Sequence, residues 1–203
     1  MSLYHLRNEG MSFNTYLALF EELVKERKTS GPRQMEKLVD NTRLNLHRTK
    51  RILKTVEIPT EYIARLEQVS DKYHWLVLSE MWCGDSANTL PLITKLANVN
   101  PNIKLHVFLR DEHPRLMHQF LTDGKQAIPK LICCSDNFEP LWTWGARPEK
   151  LQHRVDTLRL EHSVTPDELK KQIQVWYLED EGETFFQEFM EVAEPILQQE
   201  SLV

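Results

Sequence analysis

Residues 75–78, Trp-Leu-Val-Leu, and residues 82–86, Trp-Cys-Gly-Asp-Ser, decide the fold of this 203-residue chain. The first run is continuously apolar, which is typical of a β-strand buried on both faces of a sheet. Residues 86–97 then have the pattern of a helix, and residues 103–109 have that of a second strand. A strand, a helix and a strand within about 35 residues predict a parallel crossover unit, with the Trp-Cys-Gly run at its first turn.

Two more strands are predicted after this unit. A short helix over residues 114–121 ends at an Asp-Gly pair, and apolar runs follow at 130–134 and 141–144. The turn residues Ser-Asp-Asn at 135–137 make the link so short that the two strands must pair antiparallel. The pattern therefore predicts an α/β fold with a mixed sheet.

Helices are predicted on both sides of this core. Helical patterns cover residues 13–24 and about 33–54, a third helix follows Pro59, and about the last 40 residues are helical with a break at Gly182. We therefore divide the chain into a helical N-terminal extension at 1–71, a core at 72–156 and a helical C-terminal extension at 157–203. Residues 1–10, which precede a second methionine, receive no role.

Composition argues against several classes of function. A net charge of −5 gives no sign of a nucleic-acid or membrane partner, and no apolar run is long enough for a membrane span or a signal peptide. We interpret the basic run from Arg43 to Lys54 as a solvated helix face. The histidines form no metal motif, and no cofactor is predicted. Three cysteines, an odd and sparse count, favour a reducing cytoplasmic compartment over a disulfide framework.

Four landmarks stand in register within the predicted core. They are Cys83 between the first strand and its helix, Pro91 eight residues later, Ile128-Pro129 before the third strand, and Gly145 sixteen residues after Pro129. By these landmarks the segment from about 72 to 154 resembles the thioredoxin-like superfamily. The resemblance implies a thioredoxin-like fold, a four-stranded mixed sheet of one βαβ and one ββα unit, here with helical N- and C-terminal extensions.

The fuller sequence resembles one bacterial branch of that superfamily. The resemblance is carried by Trp-Cys-Gly-Asp at 82–85, Thr-Trp-Gly-Ala-Arg-Pro at 143–148 and the helical extensions. For that branch, which has a Trp-Cys-Gly-Asp-(Ser/Ala) motif, the resemblance implies a cytosolic role in cell redox homeostasis without naming a substrate.

The chemistry expected at the Trp-Cys-Gly run follows from its place at a helix start. Unpaired backbone N–H groups and the positive end of the helix dipole favour the thiolate of Cys83, which is the form that attacks a disulfide. Gly84 is expected to keep the approach open, and Trp82 to form one wall of a groove. If the bond between Ile128 and Pro129 is cis, as the resemblance implies, the Ile128 backbone could pair with an extended substrate strand.

Two departures from the thioredoxin pattern limit this chemistry. The position of the second, resolving cysteine is Ser86, whose hydroxyl can donate a hydrogen bond to a thiolate but cannot form a disulfide. The position of the buried carboxylate of thioredoxins is Val77. Asp85 places a negative charge beside Cys83 and should oppose part of the effect of the helix terminus on the pKa.

The other two cysteines do not replace the missing one. Cys133 and Cys134 lie along the third strand, on the order of 13–17 Å beyond Pro129 at the usual rise per residue. We expect one to point to each face of the sheet, both of them buried as packing residues.

The leading hypothesis is a cytoplasmic monothiol redox protein. Cys83 would attack a protein or low-molecular-weight disulfide, and an external thiol such as glutathione would resolve the adduct. The alternatives are a thioredoxin-fold binding module with Cys83 unused, and an iron–sulfur or glutathione site like that of the monothiol glutaredoxins. The last rests on Cys-Gly-Asp-Ser at 83–86, but a glycine pair expected after the proline strand is absent.

Overall fold

The structure, a computed structural model, describes residues 2–161 and 164–197. Strand β1 (Tyr73–Ser79) is followed by helix α4 (Gly84–Ala97) and strand β2 (Ile103–Leu109), and β1 and β2 pair in parallel. Every residue of β1 is buried, as the continuous apolar run predicted. The crossover unit therefore forms where the sequence predicts it, and it places the Trp-Cys-Gly run at the carboxyl end of β1.

The hairpin completes the sheet. Strands β3 (Lys130–Ser135) and β4 (Pro140–Trp144) pair antiparallel, β3 also pairs antiparallel with β1, and the strand order is β2-β1-β3-β4. The predicted four-stranded mixed sheet with a thioredoxin-like topology is confirmed. Because β1 and β3 are adjacent central strands, the end of β1 and the start of β3 meet at one edge of the sheet.

Three helices precede the sheet. They are α1 (Phe13–Lys25), α2 (Glu36–Thr55) and α3 (Thr60–Glu67). Ser12 is the N-cap of α1, because its hydroxyl accepts a hydrogen bond of 3.1 Å from the backbone N–H of Thr15. Helix α2 packs along α4, so the N-terminal extension covers the helix that carries the Trp-Cys-Gly run.

Among the residues described, one α-helix lies between β2 and the hairpin, and three follow the hairpin. They are α5 (Pro114–Gln119), α6 (Glu149–Leu160), α7 (Pro166–Asp180) and α8 (Glu183–Leu197), with the predicted break at Glu181 and Gly182, both in the left-handed region. The predicted boundary at 156 falls inside α6. This helix was not resolved from the sequence because it buries only Leu151 and Val155, which is too sparse for a clear helical pattern.

Helix α8 seals one face of the sheet with aromatic rings. Phe185 packs edge-to-face against Trp144 at 4.9 Å between ring centroids, and Phe189 does the same against Trp75 at 5.1 Å and Trp142 at 5.6 Å. Such aromatic pairs add to the free energy that burial of their apolar area supplies. The two tryptophans of β4 are therefore core residues, as the alternation at 141–144 predicted.

Residues 2–10 correct the sequence analysis, which gave this segment no role. Leu3 and Leu6 are buried in the apolar cluster on the opposite face of the sheet from α8, and the Leu3 amide donates to the carbonyl of Phe138 at 2.8 Å. Met11 exchanges two backbone hydrogen bonds with Val107 at the edge of β2. The segment was missed because it is too short for a periodic pattern, and only the sheet supplies its partners.

We expect Leu3→Ala to destabilise the protein by about 2 kcal/mol or more, because it opens a cavity at a fully buried site. Urea unfolding followed by circular dichroism measures the change. Leu160→Ala is the matched control, since Leu160 is 80% exposed and its loss should change the free energy of unfolding by less than about 0.5 kcal/mol. Equal effects of the two substitutions would contradict the assigned role of the N-terminal segment.

Candidate functional site

Cys83 is the residue on which the site is built. It is the N-cap of α4, in extended backbone conformation, and its amide donates to the carbonyl of Glu80 at 3.0 Å. The thiol points across the sheet edge to β3, where Sγ donates to the carbonyl oxygen of Ile128 at 3.3 Å. The Ile128–Pro129 peptide bond is cis. The structure thus brings Cys83 to the Ile128–Pro129 pair, although Cys83 and Ile128 are 45 residues apart in the chain.

The first turn of α4 surrounds the sulfur with donors. The backbone N–H groups of Asp85 and Ser86 and the Ser86 hydroxyl lie on the side of the sulfur, and each lowers the pKa of Cys83. Ser86 is 2% exposed, and its hydroxyl has no partner at hydrogen-bonding geometry among the residues described. The hydroxyl therefore sits where the sequence analysis expected a donor to a thiolate.

Trp82 lies half-buried on the outer side of the site. The guanidinium of Arg110 stands 4.9 Å above its ring, and Arg110 is itself held by the Asp111 carboxylate at 2.7 Å. Such a cation over an aromatic face is favourable when partly desolvated. Trp82 can therefore serve as the expected wall, with its ring position set by the end of β2.

The strand end beneath Trp82 holds a buried carboxylate that the sequence analysis did not identify. Glu80 is fully buried and accepts hydrogen bonds from the Ser30 hydroxyl and from the amide of Asp111 at 2.9 Å. Burial raises the pKa of Glu80, while those two donors lower it. Ser30 also accepts from the amide of Met81 at 3.0 Å, so the loop before α2 fixes the backbone that leads into Cys83.

Asp85 is the centre of a charged cluster that joins three parts of the chain. Its carboxylate accepts a hydrogen bond of 2.7 Å from Arg147, on the loop before α6, and one of 2.9 Å from the Tyr177 hydroxyl on α7. The Asp85 and Arg147 side chains are only 13% and 16% exposed. Burial raises the pKa of Asp85, whereas the charge of Arg147 and the two donated hydrogen bonds lower it.

Helix α7 also occupies the space at Gly84, which corrects the expectation that this glycine keeps the approach open. A Cβ atom at Gly84 would lie 2.7 Å from Nε2 of Gln174. The Gln174 oxygen in turn accepts a hydrogen bond of 2.9 Å from Asn88, one turn further along α4. The missing side chain of Gly84 therefore lets α7 approach the helix start, instead of leaving a path for substrate.

The pKa of Cys83 reflects the burial of its thiol. Burial of the thiol, which is 8% exposed, and next the charge of Asp85 raise the pKa to about 11, and the donors of the first helical turn offset only part of that rise. The sequence predicted a helix-terminus effect opposed by Asp85. Burial, which no local pattern revealed, is the larger cause, and in this conformation Cys83 is a thiol at neutral pH.

The remaining predicted positions lie in the core. Val77 is fully buried between Val107 and Leu131 of the neighbouring strands, so an apolar layer replaces the carboxylate beneath the site. Cys133 and Cys134 are fully buried on opposite faces of β3, and all three cysteines are free. The prediction for this pair is confirmed.

Comparison with known proteins agrees with this geometry. A family model described as Thioredoxin matches residues 31–159, which include β1 to β4, Cys83 and Pro129. The chain belongs to this thioredoxin-like family. The match ends before α7, so the helix that covers Gly84 and Asp85 lies outside the family segment.

Two solved structures share the fold over nearly the whole chain. A Pseudomonas aeruginosa protein of unknown function has 18% identity and a TM-score of 0.59, covering 93% of this chain and 98% of its own. An HIV epitope scaffold has 17% identity and the same TM-score of 0.59, covering 96% and 99%. No curated protein sequence matches this chain. At these identities the likeness extends to the fold alone.

Neither a metal-ligand cluster nor a membrane-spanning helix is found in the part of the chain that the structure describes. Within residues 2–161 and 164–197, no three His, Cys, Asp or Glu side chains cluster as metal ligands. Over the same residues, no helix is both long and apolar enough to cross a membrane.

The raised pKa predicts how Cys83 reacts with iodoacetamide. The rate should rise about tenfold per pH unit from pH 7 to 10, because the thiolate is the reactive form and remains a small fraction until the pH approaches 11. Peptide-resolved mass spectrometry follows Cys83 separately from the other cysteines. Free glutathione is the reference thiol, and a Cys83 rate that levels off below pH 8 would contradict the burial argument.

Asp85→Asn should have two opposite effects. Removing the negative charge lowers the pKa of Cys83 and raises its alkylation rate at pH 8, whereas the largely buried Arg147 loses its counter-ion, which should cost about 3 kcal/mol of stability. Alkylation kinetics and urea unfolding measure the two effects. The control is Asp156→Asn, because Asp156 is 55% exposed and its ion pair with Arg159 should contribute little.

Proposed function

We propose that this protein carries out thiol–disulfide exchange with Cys83 as its single nucleophile. The observation that carries the proposal is the placement of the Cys83 thiol at the start of α4, 3.3 Å from the Ile128 carbonyl and beside the cis Pro129. A sulfur at a helix N-terminus, with donors from Asp85 and Ser86, is prepared to bear negative charge.

The exchange takes two balanced steps. The Cys83 thiolate, its proton released to solvent, attacks one sulfur of a disulfide, so that a Cys83 mixed disulfide forms and the second sulfur leaves as a thiolate. An external thiol then attacks the mixed disulfide, regenerates Cys83 and leaves with the first sulfur as a new disulfide. No internal thiol can take the second step, because Ser86 holds the resolving position and Cys133 and Cys134 are buried in the core.

The Ile128 carbonyl supports a docking role for the loop before β3. In the structure this carbonyl accepts the Cys83 thiol hydrogen, and the bond is lost when the thiol ionises or becomes a disulfide. The carbonyl oxygen is then free to accept an amide of a substrate backbone, as in other complexes in which a strand edge pairs with a peptide. Trp82, whose ring lies under Arg110, would flank that substrate.

The proposed setting is the cytoplasm of a bacterium, where the protein would take part in redox homeostasis. Free thiols persist in a reducing compartment, and glutathione or an equivalent small thiol is present there to resolve an adduct. The three free cysteines and the Trp-Cys-Gly-Asp run support this setting.

A second candidate is a thioredoxin-fold module that binds a protein or peptide without exchange. The observation that favours it is the burial of Cys83, which is 8% exposed with its pKa raised to about 11. On that account, the Cys83 thiol serves as a hydrogen-bond donor to Ile128 that ties α4 to β3.

Incubation with oxidised glutathione separates the two candidates. Exchange predicts one glutathione adduct per chain, located at Cys83 by peptide mapping and removed by excess reduced glutathione. Cys83→Ser should form none, whereas Cys134→Ser, which changes a buried cysteine away from the site, should form the same single adduct. The absence of an adduct from protein whose Cys83 still reacts with iodoacetamide would refute exchange and favour the binding module.

A further inference from the structure

Helix α7 is attached to the site by polar side chains. Tyr177 donates to Asp85, and Gln174 accepts from Asn88 while filling the space at Gly84. The two residues lie one helical turn apart on α7, so the Tyr177 hydroxyl and the Gln174 amide both reach the first turn of α4. These contacts lie at Gly84 and Asp85, the two residues that directly follow Cys83.

The apolar face of α7 belongs to a different cluster. Trp176 and Tyr177 pack with Leu151 and Val155 of α6, with Leu169 and Ile173 at the margin, in a group separate from the two large clusters of the sheet. Moving α7 away from α4 therefore breaks hydrogen bonds and exposes a small apolar group. It does not open the main core, in which α8 is seated.

Arg147 shows that the covered arrangement has an energetic cost. Its Nη2 is paired with Asp85, but Nε and Nη1 are buried without a hydrogen-bond partner among the residues described. Burying charged donors without acceptors is unfavourable. Movement of α7 would let water reach these N–H groups, so this cost favours opening.

We propose that α7 is a gate over Cys83, closed in this structure through Tyr177 and Gln174, and that its opening controls when the thiol can react. The gate regulates the exchange proposed above and in that sense rests on it. When it is closed, Cys83 is desolvated and faces the charge of Asp85. When it is open, water solvates the sulfur and Asp85, and the donors of the helix start act on the thiolate without that opposition.

The test uses iodoacetamide, which needs no exchange activity. In the double variant Gln174→Ala and Tyr177→Phe, Cys83 should be alkylated at least about tenfold faster at pH 8, because loss of burial returns its pKa toward that of a free thiol. Cys133 and Cys134 are internal references whose rates should not change. The matched control is Val175→Ala, on the exposed side of α7 between the two contacts, with a Cys83 rate within about twofold of the unaltered protein.

Two results would overturn the gate. One is a double variant that keeps the fold by circular dichroism while its Cys83 rate stays within twofold of the unaltered protein. The other is a rise of all three cysteine rates together, since that reports general unfolding.

A second measurement needs no variant. In the unaltered protein at urea concentrations below the unfolding transition, the Cys83 rate should depend on urea less steeply than the rates of Cys133 and Cys134, because opening α7 exposes less surface than unfolding. Equal slopes for the three cysteines would refute the gate. Failure of the exchange reaction gives a different result. If Cys83 of the double variant is alkylated rapidly but forms no glutathione adduct, the gate is supported and the proposed exchange function is refuted.

Discussion

The buried contact between the Asp85 carboxylate, the Arg147 guanidinium and the Tyr177 hydroxyl holds the site in the form that the structure shows. It joins the start of α4, the loop after β4 and helix α7. Because a carboxylate and a guanidinium are costly to bury apart, each keeps the other in place once they are covered. The same contact sets a negative charge near Cys83 and fastens α7 to the start of α4.

The fold makes this contact possible because the ends of several strands meet at one end of the sheet. The parallel crossover places the end of β1 and the start of α4 there, and the hairpin adds the start of β3 and the end of β4. Gly145 closes the arrangement, because a Cβ atom there would lie 2.2 Å from the carbonyl oxygen of Pro129. Only a glycine lets the loop that carries Arg147 pass so near Pro129, the residue after the Ile128 carbonyl that accepts from Cys83.

The electrostatics of Cys83 show how context outweighs a local motif. At the start of a helix, unpaired amides stabilise a thiolate. Here the backbone amides of Asp85 and Ser86 and the Ser86 hydroxyl lower the pKa of Cys83. Removal of water by the surrounding helices acts in the opposite direction and is larger. A one-cysteine site of this kind is therefore neither permanently reactive nor inert, since its state depends on whether α7 is in contact with α4.

Local patterns in the sequence determined most of the scaffold. The apolar run at 75–78 and the short link at 135–137 predicted the crossover unit and the hairpin, because each depends on neighbouring residues. The resemblance carried by Cys83, Pro91, Pro129 and Gly145 then implied the thioredoxin-like topology and the place of Cys83 in it. Only the tertiary structure decided the state of the site. Arg147, Tyr177 and Gln174 are 62, 92 and 86 residues away from their partners, and Leu3 joins the core through Phe138. Contacts at such separations leave no periodic signal, and burial, which sets the pKa of Cys83, is a property of the packed whole.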